Sequence, residues 1–157
     1  MTLPYTGRCL CGFTEYRLAE EPLAVYACHC TDCQKRSGSA FGLSMWVNRM
    51  AIHVTQGQAA LHTSAGADGR SRHGRICAQC GTRLWSEPEN RPALAVVRPG
   101  TLDDTSWLRP VAHLWTRSAQ PWFVFPQGAV RYETQPEDLL ELAALWRNSA
   151  GQSGVRQ

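Results

Sequence analysis

Seven cysteines lie in three tight groups: Cys9 and Cys11 in "CLCG", Cys28, Cys30 and Cys33 in "CHCTDC", and Cys77 and Cys80 in "CAQCG". Thiols at these spacings suit metal binding. On an extended strand residues i and i+2 project to one face, so a CxC pair offers both sulfurs to one ion, and a CxxC turn does the same by bending. Gly12 and Gly81 follow two of the groups, where a chain curling around an ion needs a positive φ or a close backbone approach. An odd number of thiols cannot pair completely within one chain, and in a reducing compartment crowded cysteines hold metal more readily than they form disulfides.

A structural zinc takes four ligands in a closed tetrahedron, whereas a catalytic zinc keeps three and leaves one position open. Seven divides as four plus three. The favoured partition joins Cys9, Cys11, Cys77 and Cys80 as a closed site and leaves Cys28, Cys30 and Cys33 as an open one. A rival partition pairs Cys30 and Cys33 with Cys77 and Cys80, leaving Cys9, Cys11 and Cys28 over. Those knuckles stand much further apart than the roughly 15 to 20 residues of a zinc ribbon, and a local triple costs less chain entropy to assemble. In a further alternative a protein side chain closes the triple, with His29, Asp32, His73 and His113 as candidates. Alternation turns His29 away from the face that Cys28 and Cys30 share. An open three-thiolate zinc would acidify an incoming thiol, which is otherwise mostly protonated at neutral pH.

The elements that must position these sulfurs read as strands. Alternating or β-rich runs recur in "FTEYRL", "LAVYACHC", "FGLSMWV", "AIHVTQG", "RPALAVVRPG", "AHLWTR", "WFVF" and "AVRYE", with turn chemistry at residues 64–71, 86–92 and 98–104. The reading is a mainly β single domain over residues 1–157. One segment has helical period: Leu139, Leu142, Ala143 and Trp146 predict a C-terminal helix over about 135–148, with Thr134 and Glu137 as a capping box and Pro136 in the first turn. The tail from Ser149 is expected to fray.

Charge bounds the partners. The net charge of +3 is small, scattered and almost wholly arginine, with Lys35 the single lysine, so a phosphate-tracking stripe is not expected and nucleic acid is not a predicted partner. No stretch approaches the roughly 18 apolar residues of a membrane span, and the N-terminus lacks the pattern of a secretory leader. The expectation is a soluble, cytoplasmic protein with no membrane partner.

Taken together, "GRCLCGFTEYRL", "CHCTDCQKRSGSAF", "GRICAQCGTRLW" and "HLWTRSAQPWFVF" resemble the GFA family of glutathione-dependent formaldehyde-activating enzymes, whose domain is shared with centromere protein V. The resemblance covers about residues 7–132. It implies a β-tent fold, related to the mammalian suppressor of sec four, built of several small coiled antiparallel sheets. It also implies two Zn²⁺ ions: a structural one on Cys9, Cys11, Cys77 and Cys80 and a catalytic one on Cys28, Cys30 and Cys33. The implied reaction is carbon–sulfur lyase chemistry, in which the thiol of glutathione adds to formaldehyde to give S-hydroxymethylglutathione and is released in reverse.

Glutathione carries two carboxylates, so a pocket for it needs cations or amide donors. Lys35, Arg36, Arg72 and Arg75 are candidates, Ser37 and Gly38 in "SGSAF" offer backbone N–H groups or else a tight turn, and His113 is a candidate general acid or base. Trp115 and Trp122, beside Phe123 and Phe125, alternate as a strand would and are expected mostly in the core. The competing function is a non-catalytic zinc module for a protein partner, which would show an exposed apolar patch.

Overall fold

The protein is described by a computed structural model that covers residues 3–66 and 69–153. In chain order the strands are β1 (Tyr5–Arg8), β2 (Glu15–Leu18), β3 (Ala24–Cys28), β4 (Gly42–Asn48), β5 (Ile52–Gln56), β6 (Ala59–Ala65), β7 (Ser71–Cys77), β8 (Arg83–Glu87), β9 (Leu94–Val97), β10 (Ala112–Leu114) and β11 (Val130–Tyr132). Two α-helices join them, α1 (Thr31–Ser37) and α2 (Leu140–Ser153). The chain is therefore mainly β with a C-terminal helix. It forms two compact units: unit one takes the residues up to Pro22 and Met45–Leu108, and unit two takes Leu23–Ser44 and the residues from Arg109 onward.

In unit one, β1, β2 and β5 form an antiparallel sheet, with Tyr5 opposite Leu18 and Tyr16 opposite Val54. Strands β6 to β9 make an antiparallel meander, and the second half of β4 lies beside β9 with Met45 opposite Val97. Inward positions alternate as a half-buried sheet requires, and Tyr16, Leu18, Met45, Val47, Leu84 and Val97 are fully buried. Strands β6 and β7 lack that alternation in sequence, and β6 is largely exposed with no buried position; they are held by a seven-pair backbone ladder from Ala59 opposite Cys77 to Ala65 opposite Ser71. The predicted break at 98–104 falls between strands, while those at 64–71 and 86–92 also take in the ends of β6, β7 and β8; residues 67 and 68 lie outside the described residues.

Unit two is built on β10, which pairs in parallel with β3 (Leu114 opposite Cys28) and with β11 (His113 opposite Arg131). This departs from the antiparallel pairing expected of the whole fold. Parallel neighbours need long crossovers: from β10 to β11 the chain passes through residues 115–129, which hold no strand, and from β3 to β10 it passes through α1 and β4 to β9. Strand β3 is buried at every position, and α2 packs on it through the fully buried Leu142. The helix starts at Leu140, later than predicted. Asp138, and not the Thr134–Glu137 box, caps it: its Oδ1 accepts from the Leu140 N–H at 2.8 Å. The helix runs through Ser153 into the segment expected to fray, and residues 154–157 lie outside the described residues.

Two further differences concern unit two. Helix α1 was expected as a turn, and "WFVF" forms no strand, although its alternation survives: Phe123 and Phe125 turn toward other rings while Trp122 and Val124 are 70% and 86% exposed. Trp122 is thus not core, whereas Trp46 and Trp85 are buried.

Candidate metal centres

All seven cysteines are reduced, and their sulfurs gather into two clusters. In unit one Cys9, Cys11, Cys77 and Cys80 converge, every ligand atom within 4.8 Å of the others. Two similar turns present them. The Cys9 N–H bonds the Thr14 carbonyl at 3.0 Å and the Gly12 N–H returns to the Cys9 carbonyl at 3.1 Å; likewise Cys77 N–H bonds Thr82 O at 2.9 Å and Gly81 N–H bonds Cys77 O at 3.0 Å. Gly12 and Gly81 sit at φ +77° and +71°, a region that penalises any Cβ, which accounts for glycine at both.

Backbone amides aim at these sulfurs. The Thr14 N–H donates to Cys9 Sγ at 3.2 Å, and the Gln79 and Cys80 N–H groups donate to Cys77 Sγ at 3.4 and 3.5 Å. Thr82 ties the two turns together, since its Oγ1 accepts from the Leu10 N–H at 3.1 Å and its proton is then directed to Cys80 Sγ at 3.1 Å. That hydroxyl is the leading reason the Cys80 thiol is lowered to about 5. Burial opposes ionisation of Cys77, but the bonds from Thr14, Cys80 and Gln79 outweigh it and lower its pKa. For Cys11 the Phe13 amide favours the thiolate, yet the neighbouring sulfurs and burial prevail and push it up to about 12.

In unit two Cys28, Cys30 and Cys33 form the second cluster, with Cys28 Sγ and Cys30 Sγ 3.4 Å apart. Cys28 ends β3, and Cys30 is the N-cap of α1, its Sγ accepting the Cys33 N–H at 3.4 Å. Contacts from Cys28 and Cys33, with the helix-end amides, hold Cys30 far below the usual thiol range, while sharing with Cys30 and burial push Cys28 up; negative charge collects at Cys30. Among the described residues no fourth cysteine, histidine or carboxylate joins this cluster.

Both clusters fit a thiophilic ion. A tetrahedral zinc with bonds of about 2.3 Å sets neighbouring sulfurs about 3.8 Å apart, close to the 3.5 Å of Cys9–Cys11 and the 3.9 Å of Cys11–Cys77. The four-plus-three grouping is the favoured one, and the rival pairing of Cys30 and Cys33 with Cys77 and Cys80 is not formed.

His29 faces away from the sulfurs, as alternation predicts. It is fully buried, its Nε2 is 3.0 Å from His113 Nδ1, its Nδ1 has no hydrogen-bond partner, and its ring lies 4.8 to 5.3 Å from those of Phe41, Phe123 and Phe125. Burial and then the His113 charge lower the pKa of His29; burial and then Arg131 lower that of His113.

The other predicted residues scatter. Lys35 is exposed and Arg36 half-buried in the last turn of α1. Ser37 donates its hydroxyl to the Phe41 carbonyl at 3.0 Å, and Gly38, at φ +62°, caps α1 with its N–H bonded to Gln34 O. Arg72 and Arg75 lie on β7 in unit one, where Arg75 is bidentate to Glu87 at 3.1 Å, lining a groove with Arg49 and Trp85. His73 bonds Thr63 and Glu89 instead of any cluster. Sequence reasoning missed Gln34, Ser118, Gln120 and Thr82; Thr82, directly after "CAQCG", is the one whose place hinted at a role.

A family model described as glutathione-dependent formaldehyde-activating enzyme matches residues 4–118. No curated protein matches significantly. Among solved structures the chain is similar to the crystal structure of a Rhodobacter sphaeroides protein, a Northeast Structural Genomics target, with TM-score 0.50 and 18% identity over 81% of this chain and 98% of that one. That likeness concerns the fold alone. The family match runs through both sulfur clusters and His113, and on it the chain belongs to the GFA family.

Proposed function

We propose that Cys28, Cys30 and Cys33 hold zinc with one coordination position open, and that the protein joins glutathione, or another small thiol, to formaldehyde or a related aldehyde and splits that adduct in reverse. The observation carrying this reading is a three-sulfur cluster with no fourth side-chain ligand among the described residues, in a chain of this family. Going forward, the thiol sulfur bonds to the carbonyl carbon, the C=O π pair moves to oxygen, and the thiol proton ends on that oxygen. A zinc ion, when bound, lowers the pKa of a thiol that completes its coordination. Cys30, which caps α1 and gathers the charge of the triple, anchors the ion. Lys35 and Arg36 offer cations to the glutathione carboxylates; the Ser37 hydroxyl and the Gly38 N–H are already bonded to Phe41 O and Gln34 O, and Arg75 is engaged by Glu87. His113 is buried against His29, which faces away from the sulfurs, and so takes no part in the scheme.

The purified protein should contain two equivalents of zinc, and Cys30→Ser one, with the far-ultraviolet circular dichroism unchanged. Exchange NMR of glutathione with formaldehyde should show adduct turnover faster than the spontaneous rate with the wild type and not with Cys30→Ser. One equivalent in the wild type removes the site; two without acceleration remove the reaction. A second reading, a zinc module that docks a protein partner, is favoured by the exposed Trp122 and Val124 and predicts that second result.

A further inference from the structure

We infer that Gln34 is a positioning residue for the three-cysteine site, acting through the His29 peptide, with Ser118 and Gln120 as its supports. The inference rests on the reading that Cys28, Cys30 and Cys33 hold an ion.

Gln34 follows Cys33 on α1, yet its side chain leaves the sulfurs and spends its whole amide on the chain. Its Nε2 donates to the carbonyls of His29 and Ser118, each at 2.7 Å, and its Oε1 accepts from Gln120 Nε2 at 2.7 Å. Two carbonyls at one end and an N–H donor at the other permit a single amide orientation. The His29 carbonyl takes a second bond from Ser118 Oγ at 3.0 Å, and the His29 N–H donates to the Leu114 carbonyl at 2.9 Å. The residue between two of the three ligands is thus held through both of its peptide groups.

That hold matters because of chain geometry. Cys28 closes a strand and Cys30 is extended at ψ 152°, so fixing His29 between them fixes the side on which both sulfurs project. A site with three protein ligands lacks the fourth that would lock its shape, and neighbouring hydrogen bonds must supply the rigidity. The four-cysteine site differs, since its turns close on their own residues, Cys9 with Thr14 and Cys77 with Thr82. The segment that supplies Ser118 is itself set with strain. Trp115 stands at φ +59°, uncommon for any residue but glycine, and its carbonyl takes the N–H of Ser118 at 3.1 Å.

The test uses full-length protein stripped of metal and titrated with Co²⁺, in which the four-cysteine site is the internal control. Gln34→Glu keeps the shape of the side chain but sets a carboxylate oxygen against two carbonyls. It should leave the first equivalent unchanged in affinity and in thiolate-to-cobalt absorption. The second equivalent should weaken about 10- to 100-fold with a shifted d–d band. Ser118→Ala should move the second equivalent in the same direction by less. Should Gln34→Glu fail to fold, Ser118→Ala and Gln120→Leu decide by the same readouts. An unchanged second equivalent, or a loss shared equally by both, overturns the inference alone; a wild type that binds one equivalent overturns the proposed site with it.

Discussion

His29 and Cys30 are neighbours in sequence and opposites in environment: one sits dry among aromatic rings, the other gathers negative charge at a helix end. Alternation in an extended chain produces that split, and it was legible from "CHC" alone. The pairing of His29 with His113 was not, because the two stand 84 residues apart. Burial holds both imidazoles below their ordinary value of 6.5. The unfolded chain therefore takes up protons below about pH 6.5 that the folded one refuses. Stability should be highest above that pH, fall as the pH drops below it, and level off once the lowered folded values are passed. Urea denaturation at pH 7.5 and 5.5 should show this fall, limited to about 1.4 kcal/mol per pH unit for each histidine. In His113→Asn the fall should shrink; an unaltered slope would mean that His113 titrates alike in both states.

At the level of elements, short structure was the harder to read. Helix α1 carries every end signal: a capping sulfur at Cys30, Asp32 in its first turn, Lys35 and Arg36 in its last, and Gly38 beyond. Seven residues are too few to show a helical period, so it passed for a turn. The C-terminal helix is long enough to be found by its apolar spacing, but its start was misplaced because Thr134 and Glu137 match a cap pattern while Asp138 has the geometry. Asp138→Ala should cost about 1 kcal/mol in thermal or urea unfolding, and Thr134→Ala close to nothing. Equal losses from the two would restore the box. Strands β6 and β7 escaped notice because a backbone ladder holds them without an apolar face.

For the whole molecule, the four-cysteine site closes a loop between residues 66 positions apart at Cys11 and Cys77, so an ion there bears on the stability of unit one at large. Metal removal by chelator should lower the midpoint of thermal unfolding by about 10 °C, as a binding linkage worth several kcal/mol implies, and added zinc should restore it. A midpoint indifferent to chelator would leave those sulfurs as ordinary buried thiols. By itself the sequence determined the local pairs, CxC and CxxC with their glycines, because a turn is governed by the few residues within it. It also determined that strands dominate the regular structure, since period-two patterning is written residue by residue. Only the tertiary structure decided which pairs share an ion, that His29 meets His113, and that Gln34 finds Ser118 and Gln120, 84 and 86 residues away. Those meetings depend on strand order and register, which arise from burying all the elements at once and from no single stretch of chain.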